Sequence, residues 1–298
     1  MKRTIRVGSR DSVLAIIQAQ MVISAVKEIN SSIDFEIVPI KTTGDKNLNT
    51  NMDTAGGKGM FIKELEQALA DGGIDMAVHS YKDMPCEETE ALPVVALSKR
   101  EAPFDVLVLP QGAAAPDNAK PVGSSSPRRT IQFAQLYAGL EVQAVRGNIP
   151  RRLSKLDNGE YAALILAQAG LNRLSLHNRI SRIFTLDEMI PAASQGIIAV
   201  QGRQNEDYSY LGGFHSMESA IVSKAERQFL KSLNSGCSSP VAVYGQLHNN
   251  ELVLTGMYVD PFGQTVTGKI SGSADKGELL GETLAGRLKK RALAGEEG

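Results

Sequence analysis

Signals for β-strands and α-helices alternate through the first two thirds of this 298-residue chain. Short strand patterns at 4–7, 35–40 and 74–78 are separated by amphipathic stretches such as 12–29, where apolar residues recur at helical spacing. Strands joined through helices build βαβ units and a mostly parallel sheet. The alternation therefore predicts an α/β protein.

The alternating pattern falls into two blocks, and we expect each block to form an α/β lobe, with a cleft between the lobes. The strand patterns of the second block lie at 106–109, 122–123, 142–145 and 162–166. Helical patterns at 128–137 and 150–158 separate them. One more strand pattern, at 197–200, is compatible with a return to the first lobe, which would make that lobe discontinuous.

The last third of the chain has a different pattern. Helical patterns at 217–233 and 277–293 flank three strand patterns at 241–247, 252–259 and 264–271. Short turns between successive strands indicate an antiparallel meander. We therefore predict a small C-terminal α+β domain with a three-stranded antiparallel sheet. The predicted domains are 1–99 with 197–215, 100–196, and 216–298.

Composition narrows the class of protein. With 42% hydrophobic residues, 22% charged residues and a net charge of −1, the chain has no bulk electrostatic affinity for nucleic acid or membrane. Cys86 and Cys237 are the only cysteines, which favours a reduced, cytoplasmic location over a disulfide framework. The start of the chain carries no apolar signal segment, and no run of 18 apolar residues occurs. The four histidines lack ligand spacing, so no metal site is expected.

Arginines recur where predicted strands lead into predicted helices. Ser125 and Ser126 precede Arg128 and Arg129 at one such junction, and Arg146 opens the next. Helix N-termini bind anions, and arginine is unfavourable there unless an anion is present. For any single arginine the alternative is a solvated surface group. The set as a whole predicts recognition of several carboxylates or phosphates.

Two further segments carry candidate chemistry. Lys82 and Asp83 follow a buried strand, where α/β sheets place ligand sites, although an ordinary turn fits the spacing equally well. His79, in the same apolar run, is expected to be a satisfied buried histidine. Lys58 lies in a Gly-Gly-Lys-Gly stretch that fails the P-loop pattern, and a flexible loop is the favoured interpretation there.

Cys237 stands in a glycine-serine turn, Asn234-Ser235-Gly236-Cys237-Ser238-Ser239-Pro240. An exposed turn favours a reactive thiolate, although most lone cysteines are structural. Cys86 precedes two glutamates that disfavour its thiolate, so we expect it to be inert. The thiol and the arginines together predict a covalent anchor facing a polyanion.

With these motifs assembled, the chain resembles the hydroxymethylbilane synthase family, also called porphobilinogen deaminases, over essentially its whole length. The resemblance rests on several motifs in the same order: Gly8-Ser9-Arg10-Asp11-Ser12, Gly56-Gly57-Lys58-Gly59, Asp75-Met76-Ala77-Val78-His79-Ser80-Tyr81-Lys82-Asp83, Ser125-Ser126-Pro127-Arg128-Arg129, Arg146-Gly147-Asn148, Arg152-Leu153-Ser154-Lys155-Leu156-Asp157, Ala169-Gly170-Leu171-Asn172-Arg173, Ser194-Gln195-Gly196 and Gly236-Cys237.

The resemblance implies a fold of three domains, the first two like the lobes of periplasmic binding proteins. It also implies a dipyrromethane cofactor, held by a thioether at Cys237. The implied reaction joins four porphobilinogen molecules stepwise onto a growing oligopyrrole, each with loss of ammonia, to give linear hydroxymethylbilane. We expect a monomer without nucleic-acid or membrane partners.

The resemblance also assigns site residues. The catalytic position maps to Asp83, with Lys82 beside it. The cofactor-binding positions map to Cys237, Arg128, Arg129, Arg146, Ser125, Ser126, Lys82 and Asp83. The substrate-binding positions map to Arg10, Ser12, Arg152, Arg173, Gln195 and Lys58. Replacing Arg128 or Arg129 is expected to impair cofactor assembly or early condensation more than folding.

Three positions depart from the family pattern. Thr54 replaces a lysine, Pro127 replaces a leucine, and Tyr81 replaces a smaller or unbranched apolar residue. These changes bear on affinity and loop motion rather than on the residues assigned to chemistry. The alternative function is a two-lobed anion-binding module without catalysis. Such a module has no need of a thiol at Cys237, so a covalent adduct there distinguishes the two.

Overall fold

The computed structural model describes residues 4–42, 62–87, 89–234 and 240–294. The chain folds into two compact units, Met1–Glu101 with Ile197–Ala220 and Ala102–Gly196 with Ile221–Gly298. The division into three domains at 99/100 and 215/216 remains a prediction. No helix in the described ranges is long and apolar enough to cross a bilayer.

The strands are, in chain order, β1 (Thr4–Arg10), β2 (Asp34–Ile40), β3 (Met76–Ser80), β4 (Val94–Leu97), β5 (Asp105–Val108), β6 (Val122–Gly123), β7 (Val142–Gln143), β8 (Ala163–Ala167), β9 (Arg182–Ile183), β10 (Ile198–Gln201), β11 (Ala242–His248), β12 (Glu251–Val259) and β13 (Thr265–Ser273). The α-helices are α1 (Val13–Ile29), α2 (Lys63–Ala70), α3 (Pro127–Leu136), α4 (Ile149–Asp157), α5 (Gln168–Arg173), α6 (Met217–Ser232) and α7 (Gly277–Ala294).

The first unit is built on a five-stranded sheet with the order β2-β1-β3-β10-β4. β1 runs parallel to β2 and β3, whereas β10 runs antiparallel to both β3 and β4. Val22 and Val26 of α1 are buried against one face of the sheet, and Leu65 and Leu69 of α2 belong to a second core cluster with Ala77. The sheet is thus mostly parallel and covered by helices, as the sequence predicts.

The second unit contains a sheet with the corresponding order, β7-β6-β8-β5-β9. β6 is parallel to β7 and β8, and β5 is antiparallel to β8 and β9. Leu153 and Leu156 of α4 join the core cluster of Leu164, while Phe133 of α3 packs in another cluster with Ile165. In each of the two α/β sheets, one strand therefore runs antiparallel to its neighbours. This strand is β10 in the first unit and β5 in the second.

The second unit also contains the predicted three-stranded antiparallel sheet, β11-β12-β13. Gly256 of β12 lies so close to the helices that a Cβ atom there would be 2.9 Å from Phe229 and 3.0 Å from Leu284. A glycine in this strand therefore permits close approach of α6 and α7. The α/β and antiparallel architecture confirms the predicted fold class.

Three elements escaped the sequence analysis: β4, β9 and α5. Each has six residues or fewer. Elements this short show too few repeats of a strand or helix period to be recognised by pattern. Their places are set by neighbouring strands, because β4 pairs with β10 and β9 pairs with β5.

Candidate functional site

Lys82 and Asp83 lie in a single 3₁₀ turn, Tyr81–Asp83, directly after β3. Tyr81 and Met84, on either side of the pair, are buried in a core cluster with Leu97. Asp83 is exposed and Lys82 is half-buried. The segment is a turn, as the alternative interpretation held, and its two apolar anchors present the aspartate at the surface. Tyr81, which departs from the family pattern, therefore contributes its side chain to the packing of this core cluster.

Arg10 and Ser12 lie at the same edge of this sheet as Asp83. Arg10 ends β1, and β1 and β3 are adjacent and parallel, with Gly8 opposite Ala77. The carboxyl ends of neighbouring parallel strands are where open α/β sheets bind ligands. Ser12 caps α1, because its Oγ accepts a hydrogen bond from the backbone N–H of Ala15 at 3.3 Å.

His79 is buried in β3, with 6% of its surface exposed. The pKa of His79 is lowered from 6.5 to about 4, chiefly by burial and to a smaller extent by the positive charge of Arg10. Gln201 opposes part of this shift, although within the described residues no well-formed hydrogen bond reaches Nε2 of His79. The imidazole is therefore neutral at pH 7 and is buried as predicted, but one of its nitrogens lacks a partner there.

Neutral burial of His79 predicts a specific pH dependence of stability. The unfolded chain takes up a proton near pH 6.5, whereas the folded chain does so only near about 4. The contribution of His79 to the free energy of unfolding is therefore fully present above pH 6.5 and falls by about 3 kcal/mol toward pH 4. Urea unfolding at about pH 7 and about pH 5 should show a smaller loss of stability in His79→Asn than in the unaltered chain.

The exposed His248 provides the matched control for this measurement. His248→Asn should keep the pH dependence of the unaltered chain, because the exposed side chain of His248 is not transferred from water into the core on folding. Identical pH dependence in the His79 variant and the unaltered chain would contradict the assignment.

In the second unit, the basic residues follow the carboxyl ends of three adjacent parallel strands, β7, β6 and β8. Ser125 follows β6 and is tied to the segment after β7. Its hydroxyl donates to the carbonyl of Val145 at 2.6 Å and accepts from the Val145 N–H at 3.0 Å. This pair of bonds joins the segment that leads into α3, where Arg128 lies, to the segment after β7 that carries Arg146. Ser126 precedes α3, which has Pro127 in its first turn, where proline is favoured.

Arg128 and Arg129 are buried, with 4% and 7% of their surfaces exposed. Both form ion pairs with Asp105, which is itself fully buried. Nη1 of Arg128 lies 2.6 Å from Oδ2 of Asp105. Nε and Nη2 of Arg129 lie 2.9 Å and 2.7 Å from Oδ1. Asp105 therefore supplies, from within the chain, part of the negative charge that these arginines at the start of α3 require.

Asp105 was missed by the sequence analysis. It opens β5, an otherwise apolar strand, and a carboxylate in a buried strand requires cationic or hydrogen-bonding partners. Gln195 is one such partner, since its Nε2 donates to Oδ1 of Asp105 at 3.1 Å and to the carbonyl of Pro103 at 2.6 Å. The sequence signal that could have revealed Asp105 is an aspartate directly before three apolar residues of a strand.

This arrangement adds a structural role to the predicted binding role of Arg128 and Arg129. Removing either arginine would take from buried Asp105 one of the guanidinium groups bound to it, which weakens the compensation of its charge. Replacement of either arginine is therefore expected to reduce stability as well as cofactor assembly.

Three other arginines lie half-buried at the same sheet edge. Arg146 follows β7, and Arg152 in α4 donates from Nε to the carbonyl of Gly147 at 2.7 Å. Arg173 ends α5 and donates from Nη2 to the carbonyl of Gly196 at 2.6 Å. The second unit therefore brings together Ser125, Ser126, Arg128, Arg129, Arg146, Arg152, Arg173 and Gln195.

Some predicted residues cannot be placed. Cys237 and Lys58 lie outside the described residues, as does Thr54. Within the described ranges, no group of three or more histidine, cysteine, aspartate or glutamate side chains is arranged to hold a metal ion.

Family models match nearly the whole chain. The model described as porphobilinogen deaminase, dipyromethane cofactor binding domain, matches residues 5–210. The model described as porphobilinogen deaminase, C-terminal domain, matches residues 220–290.

Curated relatives match over similar lengths. A porphobilinogen deaminase of Acetivibrio thermocellus is 53% identical over 290 residues, covering 97% of this chain and 99% of the relative. A porphobilinogen deaminase of Alkaliphilus oremlandii is 51% identical, covering 96% of each chain. Among solved structures, the periplasmic VFT2 domain of Bordetella pertussis BvgS aligns with 18% identity and a TM-score of 0.40, covering 71% of this chain and 84% of that domain. A likeness at that level carries no functional argument.

Proposed function

Because the chain belongs to the porphobilinogen deaminase family, we propose that it condenses four porphobilinogen molecules onto a covalently held dipyrromethane and releases linear hydroxymethylbilane. The match to the family's cofactor-binding domain over residues 5–210 carries this proposal. The fold supports it by bringing Arg10 and Asp83 to one sheet edge.

The side chains of the second unit fit a polycarboxylate cofactor. Two guanidinium groups, those of Arg128 and Arg129, meet at the carboxylate of Asp105. In the described part of the chain, Nε and Nη2 of Arg128 have no hydrogen-bond partner, although the residue is only 4% exposed. Guanidinium edges of this kind suit carboxylates such as the acetate and propionate arms of a pyrrole.

We assign the cofactor to a thioether at Cys237, with its carboxylates held by Arg128, Arg129 and Arg146. Ser125 and Ser126 would contribute hydroxyl contacts, and Lys82 and Asp83 are assigned to cofactor binding from the family resemblance. When bound, the dipyrromethane supplies the terminal pyrrole to which the first substrate is joined. The substrate carboxylates are assigned to Arg10, Ser12, Arg152, Arg173, Gln195 and Lys58.

The assigned hydroxyls retain capacity for these contacts. Ser12 Oγ accepts one bond from Ala15 and keeps its own proton to donate. Ser125 Oγ donates to and accepts from Val145, which leaves one lone pair for a further donor.

Asp83 is the residue we assign to the chemistry. When porphobilinogen loses ammonia, the C–N bond breaks with its electron pair leaving on nitrogen, and the remaining methylene-pyrrole becomes a cation. The exposed carboxylate of Asp83 stabilises this positive charge through the pyrrole N–H. With the dipyrromethane held at the site, Asp83 would also take up the proton that the acceptor pyrrole carbon loses when the new carbon–carbon bond forms. After four additions, water would release the linear product, and the dipyrromethane would stay attached to the protein.

Porphobilinogen consumption tests the proposal directly. The purified chain should release one ammonia for each porphobilinogen consumed, without added metal or nucleotide. An anion-binding module would bind porphobilinogen without releasing ammonia. Absence of ammonia release by a chain that carries a covalent adduct would contradict the condensation.

We also propose a cytoplasmic, monomeric enzyme. A thioether anchor requires a thiol that stays reduced before loading, which a reducing compartment provides. Light scattering on the purified chain would test the monomeric state.

A further inference from the structure

In the described ranges, two buried aspartates are each held between a pair of arginines. In the first unit, Asp75 is bound by Arg6, with Nη2 3.0 Å from Oδ1, and by Arg203, with Nη2 3.5 Å from Oδ1. In the second unit, Asp105 is bound by Arg128 and Arg129. We call these the Asp75 clamp and the Asp105 clamp.

The two clamps differ in how their charge is balanced. In the Asp75 clamp, Arg203 also pairs with Glu206, with Nε 2.6 Å from Oε1, so that two carboxylates meet two guanidinium groups. In addition, 38% of the Arg6 side chain is exposed to water. In the Asp105 clamp, Arg128 is nearly buried, yet its Nε and Nη2 have no hydrogen-bond partner in the described part of the chain. A buried guanidinium in this state is suited to one further anion.

The orientation of Arg128 is determined by the groups on its other side. Both hydrogens of Nη1 are used, one toward Oδ2 of Asp105 at 2.6 Å and one toward the carbonyl of Ile190 at 2.8 Å. Gln132 binds both the N–H and the carbonyl of Ile190, at 2.7 Å and 3.1 Å, and so holds that acceptor in place. Because the guanidinium is planar, fixing Nη1 at two points directs the Nε–Nη2 edge.

We propose that Asp105 is a positioning residue for the cofactor. By binding Nη1, it presents the Nε–Nη2 edge of Arg128 to one carboxylate arm of the dipyrromethane. By pairing with the two arginines, it also lets these buried side chains fold before the cofactor is attached. This inference rests on the proposed function, because it takes the cofactor as the ligand of Arg128.

Replacing Asp105 with asparagine would disturb both the orientation of Arg128 and the charge compensation of the two arginines. An amide has one acceptor oxygen, and its NH₂ group would face guanidinium donors. The two arginines would also lose the carboxylate with which both of them pair. Arg128 would then lose the contact that orients it, and cofactor loading should fall.

The test measures the loaded fraction of the full chain rather than the activity of the loaded enzyme. Asp105→Asn and the control Asp75→Asn are produced in cells competent in tetrapyrrole synthesis, and the fraction carrying the adduct is determined by intact mass. Apo-protein is then incubated with porphobilinogen, and adduct formation is followed over time. Urea unfolding gives the stability of each variant.

Both variants should lose stability, because each removes the carboxylate from a buried clamp. The loaded fraction or loading rate of Asp105→Asn should fall roughly tenfold or more, whereas Asp75→Asn should stay within about twofold of the unaltered chain. Asp105→Glu, which keeps the charge, should load to an intermediate extent. If Asp105→Asn does not fold, the same comparison is made between Asp105→Glu and Asp75→Glu.

Equal loading of the Asp105 and Asp75 variants at comparable stability would overturn the proposal and make Asp105 a purely structural residue. If the unaltered chain itself carried no adduct, the proposed function would fail, and the role of Asp105 would fail with it. A loaded unaltered chain together with a fully loaded Asp105→Asn overturns only the positioning role.

Discussion

Asp83→Asn is expected to leave the fold intact and to slow porphobilinogen consumption by at least about a hundredfold. Asp83 is exposed, and its side chain makes no hydrogen bond within the described ranges, so the amide should cost little stability. Tyr81 and Met84 hold the turn independently of it. The loss comes from chemistry, because the neutral amide can neither offset a cationic pyrrole nor accept its proton.

The matched control is Glu87→Gln. Glu87 is also an exposed carboxylate, four residues further along the same surface segment. The Glu87→Gln substitution removes the same charge as Asp83→Asn, and we expect it to leave ammonia release nearly unchanged. Thermal unfolding of both variants establishes that any loss of rate is not a loss of fold. A folded Asp83→Asn that consumes porphobilinogen at close to the normal rate would remove Asp83 from the mechanism.

Cys237→Ser is expected to abolish cofactor attachment and therefore all turnover. The unaltered chain should exceed its polypeptide mass by two porphobilinogen units, each less one ammonia. The serine variant should show the bare polypeptide mass, because a hydroxyl is a far weaker nucleophile than a thiolate. Intact-mass measurement on protein from cells competent in tetrapyrrole synthesis gives the result without any assay of rate.

Cys86→Ser is the control for this experiment. Cys86 is half-buried and precedes Glu87, so its thiolate is disfavoured. This variant should keep the full adduct. An adduct that persists in Cys237→Ser, or one that disappears in Cys86→Ser, would place the anchor elsewhere. Cys237 lies outside the described residues, so this prediction rests on the sequence motif and on family membership.

The surface turn at Asp83 could be predicted from sequence because it depends on local features. An apolar strand, a proline two residues after the aspartate and the apolar residues on either side of the pair are all visible within a few positions. The same holds for the junction at Ser126 and Pro127, where the start of α3 follows from residues that favour a helix N-terminus.

The partner of Arg128 and Arg129 could not be predicted in this way. Asp105 is 23 residues before Arg128, and the contact forms only because β5 enters the sheet beside β8. Nothing in the spacing of the two arginines specifies which acid meets them, or that they are buried. The sequence motifs therefore predict an anion for Arg128 and Arg129, but they do not predict that one of the carboxylates they bind is Asp105 of the same chain.

By itself, the sequence determined most of the strands and helices and the junctions that carry cationic side chains, because periodicity and turn preferences act over a few neighbouring residues. Its motifs also determined the family to which the chain belongs. Only the tertiary structure decided the order of the strands and the burial of Asp105 with its two arginines. These depend on contacts between distant segments, and the free energy of a buried charge is set by the groups that folding places around it.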